Sequence, residues 1–242
     1  MVIETPMQSG QITYLSNHPA LAPLFRHFKN FAKNGLAEFS AGKVCFSASA
    51  IETYSADVFE KVGEIDNAIA ALRMAVGFIL DLSSSSDIGS DVYRYHYENY
   101  LLRSVGVVDR AHRLVGAGLQ LDAEKYKRSS GNQYVQDQVK NNYPDILAAL
   151  NAVNICVQKN RSPRNELIHS SAFSNRELGL FSAIETIGIQ QGSDMNVKEL
   201  MCDHFSETSV EISKVIFDLV TALFELISAL SKVFLDVVNA CE

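Results

Sequence analysis

Apolar residues recur along this chain at intervals of three and four, and no strong strand-like alternation competes with them. The pattern predicts a helix over His18–Asn34, with Pro19 and Pro23 confined to its first turns. A second helix runs from about Ser49 to Leu82, where Leu72, Val76, Ile79 and Leu80 form one apolar face. The small polar run Ser83–Ser90 reads as a linker. A third helix covers roughly Asp91–Leu121 and is rich in tyrosine at Tyr93, Tyr95, Tyr97 and Tyr100. Asp122–Asn132 is charged and broken by Ser129-Ser130-Gly131. Helix resumes near Gln133 and continues to about Lys159, with a break at Pro144. Ser162 reads as an N-cap with Pro163 behind it. Ser174-Asn175-Arg176-Glu177 matches a capping box opening a helix to about Ile187. After a turn at Gln190–Ser193, the last helix runs from about Asn196 to Asn239, with a kink.

That last helix carries Lys214, Asp218, Thr221, Glu225, Ser228, Lys232, Asp236 and Asn239 as one narrow polar stripe beside a wide apolar face. Val215–Val238 is the most apolar stretch. Its charges, at about 2.5–3.5 kcal/mol each in mid-bilayer, argue against membrane insertion. Met1–Gly10 lacks the basic and apolar regions of a signal peptide, so a cytoplasmic, non-membrane protein is expected. No repeat of solenoid period appears. The expected fold is all-α: one domain over 1–242, a helical bundle with additional helices at about 18–82 and 196–239.

Composition agrees with this reading. Apolar residues make up 47% of 242 residues, tryptophan is absent, and proline and glycine are few. The formal net charge of −7 disfavours tight non-specific nucleic-acid binding, so any such contact must come from local basic patches. Cys45, Cys156, Cys202 and Cys241 are widely spaced, which fits buried thiols better than a zinc ribbon or disulfide scaffold. His18, His27, His96, His112 and His204 show no metal-ligand spacing, and no cofactor or metal is expected.

The chemistry concentrates in Ser162–His169. Arg164 carries a permanent charge that can fork onto a phosphate, and His169 can exchange a proton near neutral pH. Five residues apart, they lie about 140° apart around a helix and share no face. Asn165 and His169, four apart, do. Arg164 lies in the first turn, whose free amides add partial positive charge. Lys159 and Arg161 precede the pair and Arg176 follows it, as candidate phosphate contacts. Arg164 could instead pair with Glu166 or another carboxylate, leaving His169 a surface residue. A weaker reading pairs Arg164 with Glu98 or Asp109.

Arg164-Asn165-x-x-x-His169, placed on a helix after a short break, resembles the Arg-x(4–6)-His motif of the HEPN family (higher eukaryotes and prokaryotes nucleotide-binding domains). The resemblance covers about 91–187, the HEPN-like core. It implies an all-α bundle and a metal-independent endoribonuclease acting by 2′-OH transesterification on RNA, as in toxins and anti-phage effectors. It also implies a homodimer with a composite active site, with an antitoxin or regulatory protein as a possible partner. Arg164 would hold the phosphate, His169 would act as base or acid, and Asn165 would orient His169 or brace the site. Ser171 stands where one subgroup carries a modifiable tyrosine, which argues against that form of regulation. The alternative is a non-catalytic HEPN-like nucleotide-binding or helical interaction module.

Two other features have plainer readings. Lys125-Tyr126-Lys127-Arg128 could line an RNA path, with Tyr126 stacking on a base, but a solvated charged surface is the simpler expectation. Tyr93, Tyr97 and Tyr100 share a face and suit packing better than base stacking.

Overall fold

Ser49 and Glu52 start the longest helix by reciprocal capping. The Ser49 N–H donates to Glu52 Oε2 (2.9 Å), and the Glu52 N–H donates to Ser49 Oγ (3.3 Å). In the computed structural model, which describes residues 14–84, 89–169, 176–187 and 196–241, that helix is the second of a series. In chain order these are α1 (Ala22–Ser40), α2 (Ala50–Ser83), α3 (Ser90–Gly118), α4 (Ala123–Tyr126) and α5 (Gly131–Val139). They continue with α6 (Pro144–Cys156), α7 (Arg161–His169), α8 (Arg176–Ile187), α9 (Val197–Ala229) and α10 (Ser231–Cys241). No strand occurs among the described residues. The fold is all-α, as the periodicity predicts.

The chain divides into two compact units: residues 1–67, 108–154 and 220–242, and residues 68–107 and 155–219. α2, α3 and α9 each contribute one part to either unit.

In the first unit, Leu24 of α1, Val58, Val62 and Ile65 of α2, Leu114 and Val115 of α3, and Leu223 and Leu226 of α9 are essentially sealed from solvent. Burying each such side chain contributes about 1.5–3 kcal/mol. Polar groups complete the packing. The Asp66 carboxylate accepts from the N–H groups of Leu15 and Ser16 at 2.8 and 3.0 Å, satisfying the start of a 3-10 turn. The buried Tyr54 hydroxyl donates to the Gly118 carbonyl at 2.8 Å, and burial raises its pKa.

α3 ends in a Schellman motif. The Leu121 N–H reaches the Gly116 carbonyl (2.9 Å), the Gln120 N–H reaches the Ala117 carbonyl (3.0 Å), and Gln120 takes φ +52°. The chain then folds back through α4, setting the Tyr126 ring against Gly116, where an added Cβ would lie 2.7 Å from it. Gly131 starts α5 so close to the Tyr126 carbonyl that a Cβ would sit 2.1 Å from the oxygen. Tyr126 is therefore buried, at 4% exposure, and is not available to stack on a base. Lys125 beside it pairs with Asp122 at 3.5 Å and lies over the Tyr134 ring.

In the second unit, Leu72, Ile79, Tyr93, Leu101, Val157, Leu178 and Phe205 form the core. Tyr93 stacks on Phe205 with centroids 4.2 Å apart, and its hydroxyl donates to Thr208 at 3.2 Å. Tyr93 and Tyr100 are buried, so the tyrosine face of α3 serves packing. Across the unit, the Ser90 N–H meets the Glu185 carboxylate at 3.2 and 3.3 Å, tying the start of α3 to α8.

The expected last helix is interrupted at Leu230, between α9 and α10. No helix among the described residues is long and apolar enough to cross a membrane. The four cysteines form no disulfide. Cys45 and Cys241 are exposed and Cys156 and Cys202 partly so, which corrects the expectation of buried thiols. The linker residues 85–88, the 170–174 stretch with its capping serine, the 190–193 turn and the N-terminal ten residues lie outside the described residues.

Candidate functional site

α7 does not begin as its sequence suggests. A 3-10 turn, Gln158–Asn160, runs directly into Arg161. No extended residue intervenes, so Ser162 lies inside the first helical turn and is not the cap. Pro163 still falls where a missing N–H costs no intrahelical bond.

The helix is polar, and none of its nine residues is buried. Pro163, Arg164 and Leu167 are half-buried and mark the inner face, whereas Arg161, Asn165, Glu166, Ile168 and His169 are exposed. Arg164 Nη1 donates to Asn165 Oδ1 at 3.1 Å. Arg164 Nε is shielded from solvent with no hydrogen-bond partner among the described residues. A buried donor left unpaired is costly, and an acceptor from outside the chain could satisfy it only after a shift of the Arg164 side chain exposed Nε.

The arginine and asparagine are thus brought together, with Asn165 bonded to Arg164. His169 is the last residue of α7, about 7.5 Å along the axis from Arg164 at 1.5 Å per residue. It lies about 12 Å from the helix start at Arg161 by the same measure. The helix start and His169 therefore do not converge on one anion within a single α7.

Of the candidate phosphate contacts, Lys159 is exposed in the 3-10 turn and Arg161 is exposed at the first position of α7. Arg176 opens α8. The contemplated partner Asp109 is engaged elsewhere, accepting from Asn132 Nδ2. Among the described residues, no group of three or more His, Cys, Asp or Glu side chains is placed to hold a metal ion.

One residue that no sequence motif marks stands immediately before α7. Asn160 Nδ2 donates to Tyr100 Oη (2.8 Å) and to Ser104 Oγ (2.9 Å) on α3. Burial is the main reason the Tyr100 phenol is pushed up to about 12, and the bond from Asn160 opposes that shift. Nothing local in the sequence marks Asn160, because its partners lie 60 and 56 residues away.

No curated protein and no solved structure shows a significant match to the chain. The family model described as Cthe2314-like HEPN matches residues 39–229, a stretch that runs from the end of α1 to the end of α9 and includes the whole of α7. With its all-α architecture and an Arg-Asn-x-x-x-His sequence on one short helix, this chain belongs to the HEPN family.

Proposed function

We propose that this protein is a metal-independent endoribonuclease that cleaves RNA by intramolecular transesterification, using Arg164 and His169 from two copies of the chain. The observation that carries the reading is the state of Arg164. It sits on an unburied helix beside Asn165, with a desolvated Nε–H that has no partner among the described residues. A phosphodiester oxygen is the acceptor that such a group suits.

A base removes the ribose 2′-OH proton, the O2′–P bond forms and the P–O5′ bond breaks. An acid then protonates O5′. The products are a 2′,3′-cyclic phosphate and a 5′-OH end, and the step needs no metal. His169 of one subunit acts as base and His169 of its partner as acid, a contribution of about 10²–10⁴-fold. Arg164 stabilises charge gathering on the phosphate oxygens. Asn165 braces the guanidinium in the free protein and releases it to the phosphate. Lys159, Arg161 and Arg176 extend the phosphate path. Two copies are invoked because one α7 separates its arginine and histidine by rotation and by rise.

The test is end-group analysis of RNA incubated with the full chain in EDTA. Cyclic phosphate and 5′-OH ends support the reading, and saturable nucleotide binding without turnover replaces it with the non-catalytic module. Mixing wild-type with excess His169→Ala protein tests the composite site. Loss of cleavage beyond simple dilution, as mixed dimers form, supports it, and cleavage that merely tracks the wild-type share, or a strictly monomeric active enzyme, contradicts it.

A further inference from the structure

α7 lacks the usual means of being held in place. With no buried residue of its own, it gains little from apolar burial. Its anchors lie just upstream. Val157 is fully buried, and Asn160 directs its side-chain amide at two hydroxyls on α3. Those acceptors, Tyr100 and Ser104, are one helical turn apart and are 2% and 0% exposed.

The clamp is itself fixed. Ser104 Oγ donates to the Leu101 carbonyl at 3.1 Å. The Tyr100 ring packs on Tyr97 (5.9 Å between centroids), Tyr97 stacks on Tyr93 (5.8 Å) and Tyr93 stacks on Phe205 (4.2 Å). A bond to one acceptor leaves a segment free to swivel, whereas bonds to two do not. Arg164 lies one turn beyond Asn160. A rotation of α7 by roughly 10° would move a side-chain tip at about 5–6 Å radius through about 1 Å, and a displacement of about 1 Å can cost roughly 10²-fold in rate.

We infer that Asn160 is a positioning residue whose bonds to Tyr100 and Ser104 set the rotation at which α7 presents Arg164 and Asn165. Its catalytic consequence rests on the ribonuclease reading above; the clamp itself does not.

Two readouts on the full chain separate these claims. Asn160→Ala should raise amide hydrogen exchange across 161–169 about tenfold, with exchange in α3 and α9 unchanged. It should lower kcat about 10²-fold with the pH profile unmoved, because His169 is untouched. The Tyr100→Phe/Ser104→Ala double variant, which alters nothing near α7 in sequence, should reproduce both effects. Wild-type exchange over 161–169 in either variant overturns the clamp, as does faster exchange throughout the protein. If the wild-type chain cleaves no RNA while the exchange result holds, the ribonuclease reading fails and the clamp stands.

Discussion

Two corners of this molecule are built on different principles. Between α3 and α5 the chain reverses by exclusion of volume: Gly116 admits the Tyr126 ring, Gly131 admits the Tyr126 carbonyl, and a Schellman motif closes the end of α3. Between α6 and α7 it relies on hydrogen bonds, with Val157 as the apolar anchor, Asn160 as the clamp and no fully buried residue in α7. The first arrangement ties sequence to stability. The second leaves Asn165 and His169 exposed and Arg164 only half-buried, so little of the fold depends on their side chains. Substitutions at the first corner should therefore change the free energy of unfolding, and substitutions on α7 should change chemistry.

The contrast is broken most directly at Gly131. Gly131→Ala puts a methyl group against a backbone oxygen and should cost about 2–3 kcal/mol, read as a lower urea midpoint. A wild-type midpoint would show that the corner yields easily and that the contrast is false.

A second effect sharpens the packed side through pH. His18 Nδ1 accepts from the Ala20 N–H (3.1 Å), its Nε2 meets Ser228 Oγ (3.1 Å) and its ring lies against Phe224. Burial lowers its pKa, and Glu225 only partly opposes that. A histidine depressed in the folded state contributes stability that is fully present above its unfolded value, near 6.5, and is lost as pH falls through the folded value. The melting temperature should drop on acidification below about pH 6.5. His18→Asn, which keeps an acceptor for the Ala20 N–H, should flatten that drop. An equal slope in both proteins would assign the effect to other groups.

The smallest effect lies at the end of α3. Gln120 holds φ +52°, a conformation costly to any residue with a Cβ. Gln120→Gly should stabilise the protein by about 0.5–1 kcal/mol, visible as a small rise in melting temperature. A loss would mean that the glutamine side chain contributes more than its backbone strain removes.

Local features were the legible ones. The expected Ser49–Leu82 and Asp91–Leu121 helices appear as Ala50–Ser83 and Ser90–Gly118, because periodicity and capping act over a few residues. The Arg164–His169 pattern was readable for the same reason. Ser162 misled because an N-cap requires an extended residue, and the preceding 3-10 turn supplies none. Tyr126 looked like surface within a basic run. Its burial depends on two glycines, Gly116 and Gly131, whose open space is a tertiary property. Asn160 was invisible because its partners lie on another helix.

That α7 carries chemistry and little stability is tested by measuring RNA cleavage in EDTA and the unfolding free energy side by side for wild type, Arg164→Ala and His169→Ala. Cleavage should fall about 10²–10⁴-fold in each variant, with stability within about 0.5 kcal/mol of wild type. Undiminished cleavage in both variants, or a loss of activity matched by a loss of fold, would contradict it.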